Sequence, residues 1–298
     1  SSEFEVLKTR SNTINGKIGI NPGALGSLNL SGSFKTDLQN SNSDAMGGIT
    51  ENESKVRNYN YNISWNKQFS EKLDFNAVAY YNNNRRTYES GLLDSPEPGS
   101  IDTTKEALSG LRSDVSYIPT KNIKWTVGFD ASANEYNNDR LSSQQNRNSA
   151  GAHSQIEVDY KKLTTIVGAR YDKVSDFDSA ISPRVSGLYS VTPDFKLRAS
   201  YGEGFRVPSF VESYSDFNVH FAIPVGADEF GRPIFAPTVY NILGNPDLKP
   251  EKSKGTNLGF EYFMGSKMLF NVGVFQTSFE DMIIDYQKDY QVTVGPPT

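Results

Sequence analysis

Leu197-Arg-Ala-Ser-Tyr-Gly-Glu-Gly-Phe-Arg-Val-Pro208, and beyond a long aromatic segment Gly244-Asn-Pro-Asp-Leu-Lys-Pro-Glu-Lys-Ser253 followed by Thr256-Asn-Leu-Gly-Phe-Glu-Tyr-Phe263, decide how this chain folds. Side chains alternate in the first and last of these runs, the period of a strand with one apolar face. Pro208, Pro246 and Pro250 cannot donate to a ladder, so they belong where pairing has stopped. They mark a rim. Glu251, Lys252 and Lys254 keep the start of the returning strand in water, whereas Leu258, Phe260 and Tyr262 turn an apolar face outward on alternate positions.

The same period recurs along the chain. From Ile123 to Ala133 the odd positions are apolar or small and the even ones mostly polar or Gly; Asn58–Trp65 sets Tyr59, Tyr61, Ile63 and Trp65 against Asn58, Asn60, Asn62 and Ser64. Similar runs are Ala152–Tyr160, Leu163–Tyr171, Arg184–Val191 and Met268–Phe275. Each approximates the roughly 9–11 residues with which a tilted strand crosses a bilayer. Short connections are expected near Asn21–Gly23, Ser70–Lys72, Pro119–Asn122, Lys161–Lys162, Thr192–Asp194 and Met264–Lys267, and polar excursions over 38–56, 83–108, 135–149, 173–182 and 206–252. Six short turns, each joining two strands, predict twelve strands, with short turns at one end and long loops at the other, as in outer-membrane barrels. Phe69, Phe75, Tyr117, Trp125, Tyr160, Tyr189, Phe195, Phe263 and Phe270 fall near the short turns, where an interfacial girdle belongs.

Composition agrees. The chain has 298 residues, no cysteine, a formal charge of −5 and a mean hydropathy of −0.54. No apolar run is long enough for a transmembrane helix, yet a barrel keeps a low mean hydropathy because only alternate residues face lipid. Mild acidity argues against nucleic acid as a partner.

The step Phe205-Arg-Val-Pro208, the loop and the segment Asn245-Pro-Asp-Leu-Lys-Pro-Glu-Lys-Ser253 resemble, in that order, the barrel of TonB-dependent receptors, the active importers of the Gram-negative outer membrane. The resemblance implies an all-β, antiparallel transmembrane β-barrel, of which residues 1–298 are a fragment: about twelve strands of an expected twenty-two or so, without the plug domain that fills such barrels. It implies uptake of a ferric siderophore or cobalamin with energy relayed by the TonB complex through that plug, an integral outer-membrane location among lipid and lipopolysaccharide, no cofactor and no enzymatic activity. A passive porin-like channel of about 16–18 strands is the alternative; a barrel enzyme with its active site at the rim is a third reading.

Candidate cargo-binding residues lie in the long loop: Arg206, Tyr214, Phe217, Phe221, Phe230, Arg232, Phe235 and Tyr240. Aromatics at that density are costly in water unless they pack on one another or on a ligand, and arginines suit an anionic ferric chelate. Arg206 and Tyr214 stand nearer the rim, where a structural role competes. Asp172, Asp176 and Asp178 form a weak calcium candidate, weighed against a charged turn that keeps a loop soluble. His153 and His220 are the only histidines and are expected in or beside exposed loops, without a second ligand at metal spacing. Gly202-Glu-Gly204 opens like a dinucleotide fingerprint, but Val207 occupies the place of the third Gly.

Overall fold

A computed structural model describes residues 8–45, 48–92, 99–227, 230–265 and 267–284, with backbone only at 43–45, 48, 92, 220–224, 233 and 235–240. Twelve strands form one antiparallel sheet: β1 (Lys8–Ile20), β2 (Ser27–Ala45), β3 (Gly48–Ser70), β4 (Leu73–Leu92), β5 (Ser100–Thr120), β6 (Ile123–Asn138), β7 (Gln145–Tyr160), β8 (Leu163–Val174), β9 (Ala180–Ser190), β10 (Phe195–Arg206), β13 (Glu251–Met264) and β14 (Met268–Glu280). Between β10 and β13 the chain leaves the sheet, forms the helix α1 (Phe210–Tyr214) and the separate hairpin β11 (Asp216–Ala227) and β12 (Pro233–Leu243), then returns. Each strand of the sheet pairs with the next in chain order, β10 with β13, and β1 does not pair with β14, so the sheet is an open arc of barrel wall.

Register explains why alternation suffices to specify the wall. Ile18 faces Leu30, then Ile63, Ala79, Leu111 and Ala131 across six strands. Farther round, Trp125 leads to Ile156, Val167, Val185 and Tyr201. A one-residue slip would carry each apolar set to the other face. All but Ala131 of these side chains are exposed, Ile18 by 63% and Val167 by 54%, on the face that a bilayer covers. The opposite face carries ions and amides. Arg170 grips Asp130 with both terminal nitrogens, at 2.6 and 3.0 Å, and Asp172 at 2.6 Å; Arg198 binds Glu261 at 2.7 Å.

All six expected short connections are present between the pairs β1/β2, β3/β4, β5/β6, β7/β8, β9/β10 and β13/β14. Girdle aromatics meet beside them, as Trp65 and Phe75 do at 5.0 Å and Phe195 and Tyr262 at 6.2 Å. Phe263 departs from the girdle: it has the opposite parity to Tyr262, and the Lys196 ammonium lies 5.8 Å from its ring.

The far end differs from expectation. Excursions 38–56 and 83–108 are largely strand, because β2 to β5 run for 19, 23, 20 and 21 residues rather than about ten. Above a membrane both faces of a hairpin are wet, so pairing continues without an apolar face to announce it. His153 is likewise a mid-strand residue of β7, opposite Gly128 and Arg170, not a loop residue. A Cβ on Gly128 would stand 2.2 Å from the His153 ring, so the glycine gives the imidazole its place.

Candidate functional site

The excursion from 207 to 250 rests on ground that holds most of the buried side chains among the described residues. Pro208 is fully enclosed, and Phe210, Leu141, Val174, Ser213 and Ser215 are buried around it. The helix that carries Phe210 is five residues long and is held by its cap. Ser209 accepts from the Glu212 N–H at 3.1 Å while the Glu212 carboxylate accepts from the Ser209 N–H at 2.6 Å, a reciprocal capping box.

Arg147 of β7 lies beneath the helix. Its guanidinium sits 4.4 Å from the Phe210 ring centre and 5.1 Å from that of Phe177, and Nη1 donates to the Pro208 carbonyl at 2.8 Å. Tyr136 of β6 also stacks on Phe210, at 5.3 Å, and burial pushes its phenol upward in pKa. Backbone bonds fasten the seat from above: Asp216 N–H to Arg140 O, Gly244 N–H to Ser215 O and Asn245 N–H to Glu212 O, at 2.9, 2.7 and 2.9 Å. Gly244 fits because it lacks a side chain; a Cβ there would lie 2.5 Å from the Ser213 carbonyl carbon and the Tyr214 nitrogen.

Of the predicted site residues, Arg206 is a clamp. From the last position of β10 it binds both oxygens of Glu212 at 3.0 Å and Glu251, the first residue of β13, at 2.5 Å. This guanidinium holds the Glu212 carboxyl down at about 2 and also lowers that of Glu251. Tyr214 closes α1, half-exposed. Phe217 stands at the root of β11, with the Arg140 guanidinium 5.0 Å from its ring. Phe230 and Arg232 lie between β11 and β12; the ring is 75% exposed and the guanidinium stands 5.3 Å from its centre. Phe221, Phe235 and Tyr240 are strand positions of the hairpin, opposite Thr238, Pro224 and Val219, and their side chains lie outside the described residues, as does that of His220 opposite Val239. The structure thus divides the predicted set into a group at the root and a group at the tip.

The three aspartates do not converge. Asp172 is engaged by Arg170 and Asp176 by Arg147 at 3.4 Å, whereas Asp178 stands exposed before β9. No group of three His, Asp or Glu side chains among the described residues is placed to hold a metal ion. Gly202 and Gly204 lie inside the ladder, opposite Gly255 and Ser253. Sequence reasoning missed Arg147, Tyr136 and Phe210, which build the seat. One signal was available: Ser209-Phe-Val-Glu212 is a capping-box sequence.

Residues 6–296 match the family model described as TonB dependent receptor-like, beta-barrel. An iron-regulated outer membrane virulence protein of Vibrio cholerae is 31% identical over 116 residues, 39% of this chain and 15% of that protein. A vitamin B12 transporter of Vibrio vulnificus is 24% identical over 259 residues, 80% of this chain and 36% of that protein. The chain therefore spans well under half the length of these relatives. Among solved structures, a ferric enterobactin receptor mutant of Pseudomonas aeruginosa superposes with a TM-score of 0.71 at 15% identity, over 91% of this chain and 43% of the receptor, and the siderophore receptor PirA of Acinetobacter baumannii with 0.70 at 14%, over 93% and 44%. The chain belongs to the β-barrel family of TonB-dependent receptors and forms part of a barrel wall in the Gram-negative outer membrane.

Proposed function

We propose that this chain is the wall and cargo-capturing loop of an active uptake receptor for a ferric siderophore or cobalamin, powered by the TonB complex through the plug that complete receptors of the family carry. The observation that carries the proposal is the match of residues 6–296 to the receptor barrel, coupled to an excursion that holds aromatic and cationic side chains at the end opposite the short turns. Relatives named for iron regulation and vitamin B12 transport support the cargo class. Phe230 and Arg232, with Phe217, Phe221, Phe235 and Tyr240, contact the cargo by stacking and charge; Arg206 and Tyr214 hold the root. No covalent chemistry is performed. No observation favours the passive channel.

The test is uptake by the full-length receptor in cells stripped of other receptors, using radiolabelled ferric siderophores and cobalamin with and without a protonophore. Saturable uptake of one cargo, abolished by the protonophore, is expected. Uptake indifferent to the protonophore would establish a passive pore, and failure of every cargo would overturn the assignment of substrate class.

A further inference from the structure

Above the apolar band the lipid-facing side of the wall carries a row that a sheet does not tolerate without a partner. Arg57 of β3 is directly opposite Arg85 of β4, and Arg85 is directly opposite Lys105 of β5. Asn12 and Thr36 continue the row on one side and Asn137 on the other. Like charges facing each other across a ladder are unfavourable. All three cations are exposed, and among the described residues none of their side chains has a hydrogen bond or ion pair. Acids of the same face do not relieve them. Glu53 and Glu89, two rows higher, are both taken by Lys55, and Glu135 is only diagonal to Lys105.

The height of the row identifies what it meets. Phe69 marks the lower aromatic edge of β3 and Tyr59, stacked on Phe34 at 4.8 Å, the upper one. They are about ten residues apart, roughly 33 Å of strand and roughly 25 Å along the membrane normal at a tilt of about 40°, the height of an outer-membrane apolar band. Arg57 lies one same-face step beyond Tyr59, at headgroup level on the side away from the short turns. Neighbouring strands are about 4.8 Å apart, so the three cations span roughly 10 Å, the footprint of a phosphorylated sugar. Below them Tyr61, Tyr81, Ser109, Ala79 and Leu111 offer an apolar slope for acyl chains.

We propose that Arg57, Arg85 and Lys105 bind the phosphorylated glucosamine headgroup of one lipopolysaccharide molecule in the outer leaflet, with Asn12, Thr36, Asn83 and Asn137 available to its sugar hydroxyls. Guanidinium forks match phosphate bidentately, and the anion removes the repulsion along the row. The inference rests on the outer-membrane placement of the wall and not on the identity of the cargo.

The test uses the full-length receptor in detergent, freed of lipopolysaccharide, and titrated with purified deep-rough lipopolysaccharide or its dephosphorylated form. The wild type binds the phosphorylated form at least tenfold more tightly than Arg57→Gln/Arg85→Gln/Lys105→Gln, and discriminates against the dephosphorylated form by a similar factor. Lys121→Gln/Lys161→Gln, at the short-turn end, binds as wild type. Without lipopolysaccharide the triple variant melts at or above the wild-type temperature, because the repulsion is gone; added lipopolysaccharide raises the melting temperature of the wild type alone. Equal affinity of wild type and triple variant, or equal affinity for both glycolipid forms, would overturn the proposal. Uptake of cargo by the triple variant is unchanged, which separates this failure from failure of the transport reading.

Discussion

The wall and the seat of the external excursion are stabilised by opposite means. In the wall hardly any residue is buried, and order comes from long ladders plus an apolar face that lipid will cover. At the seat ladders are few and order comes from a proline, a capped five-residue helix, an arginine between two rings and an arginine joining two strand ends. The wall therefore needs only a pattern, and many residues could supply it. The seat needs particular residues.

The largest expected effect tests the face assignment. Phe129→Arg places a charge on the lipid side of β6, two same-face steps in from Trp125, and should destabilise the folded receptor in bilayers by about 2–4 kcal/mol, whereas Thr126→Arg on the lumen side should cost well under about 1 kcal/mol; reversible unfolding in liposomes decides, and equal costs would break the distinction between the faces. Next, Gly244→Val drives a side chain into the backbone of Ser213–Ser215. Hydrogen exchange should rise at least tenfold in residues 209–245 and stay unchanged in β6 to β9; a change shared by wall and seat would show that the two are not separable. Ser209→Ala removes the cap and should cost about 1 kcal/mol locally, read as faster exchange of the first α1 amides. The smallest effect is a pH dependence. Glu212 has a carboxyl depressed from 4.5 to about 2, so its contribution to the seat is complete above pH 4.5 and is lost as pH falls toward about 2. Loosening of the excursion across that window, absent in Glu212→Gln, is the expected result, read from a dye on a single cysteine introduced in the hairpin of this cysteine-free chain.

The contrast also explains what could be read in advance. The twelve strands of the wall and their short turns were legible, though not the hairpin β11/β12 inside 206–252, because lipid on one side and water on the other imprint a period of two on each crossing, as in Trp125, Val127 and Phe129 against Thr126 and Asp130. The same logic fails above the membrane. Residues 38–45, 48–56 and 83–92 alternate nothing that hydropathy can detect, yet they remain paired because a ladder once in register extends at little cost. The seat announced itself only in its punctuation, Pro208, Pro246 and Pro250, and in the capping-box sequence Ser209-Phe-Val-Glu212. Arg147 could not be singled out, since its partners Pro208, Phe210 and Phe177 are brought to it by pairing between strands distant in sequence. Arg206 ends β10, and there its guanidinium joins Glu212 and Glu251.

The unequal lengths of the strands make the mouth lopsided. Strands β2 to β5 rise as a parapet of 19–23 residues, whereas β8, β9 and β10 stop at 12, 11 and 12. A bulky solute drifting in from the medium meets a tall screen on one flank and a low sill on the other. The excursion with its rings and guanidinium grows from that sill, so the low flank is the one that carries it.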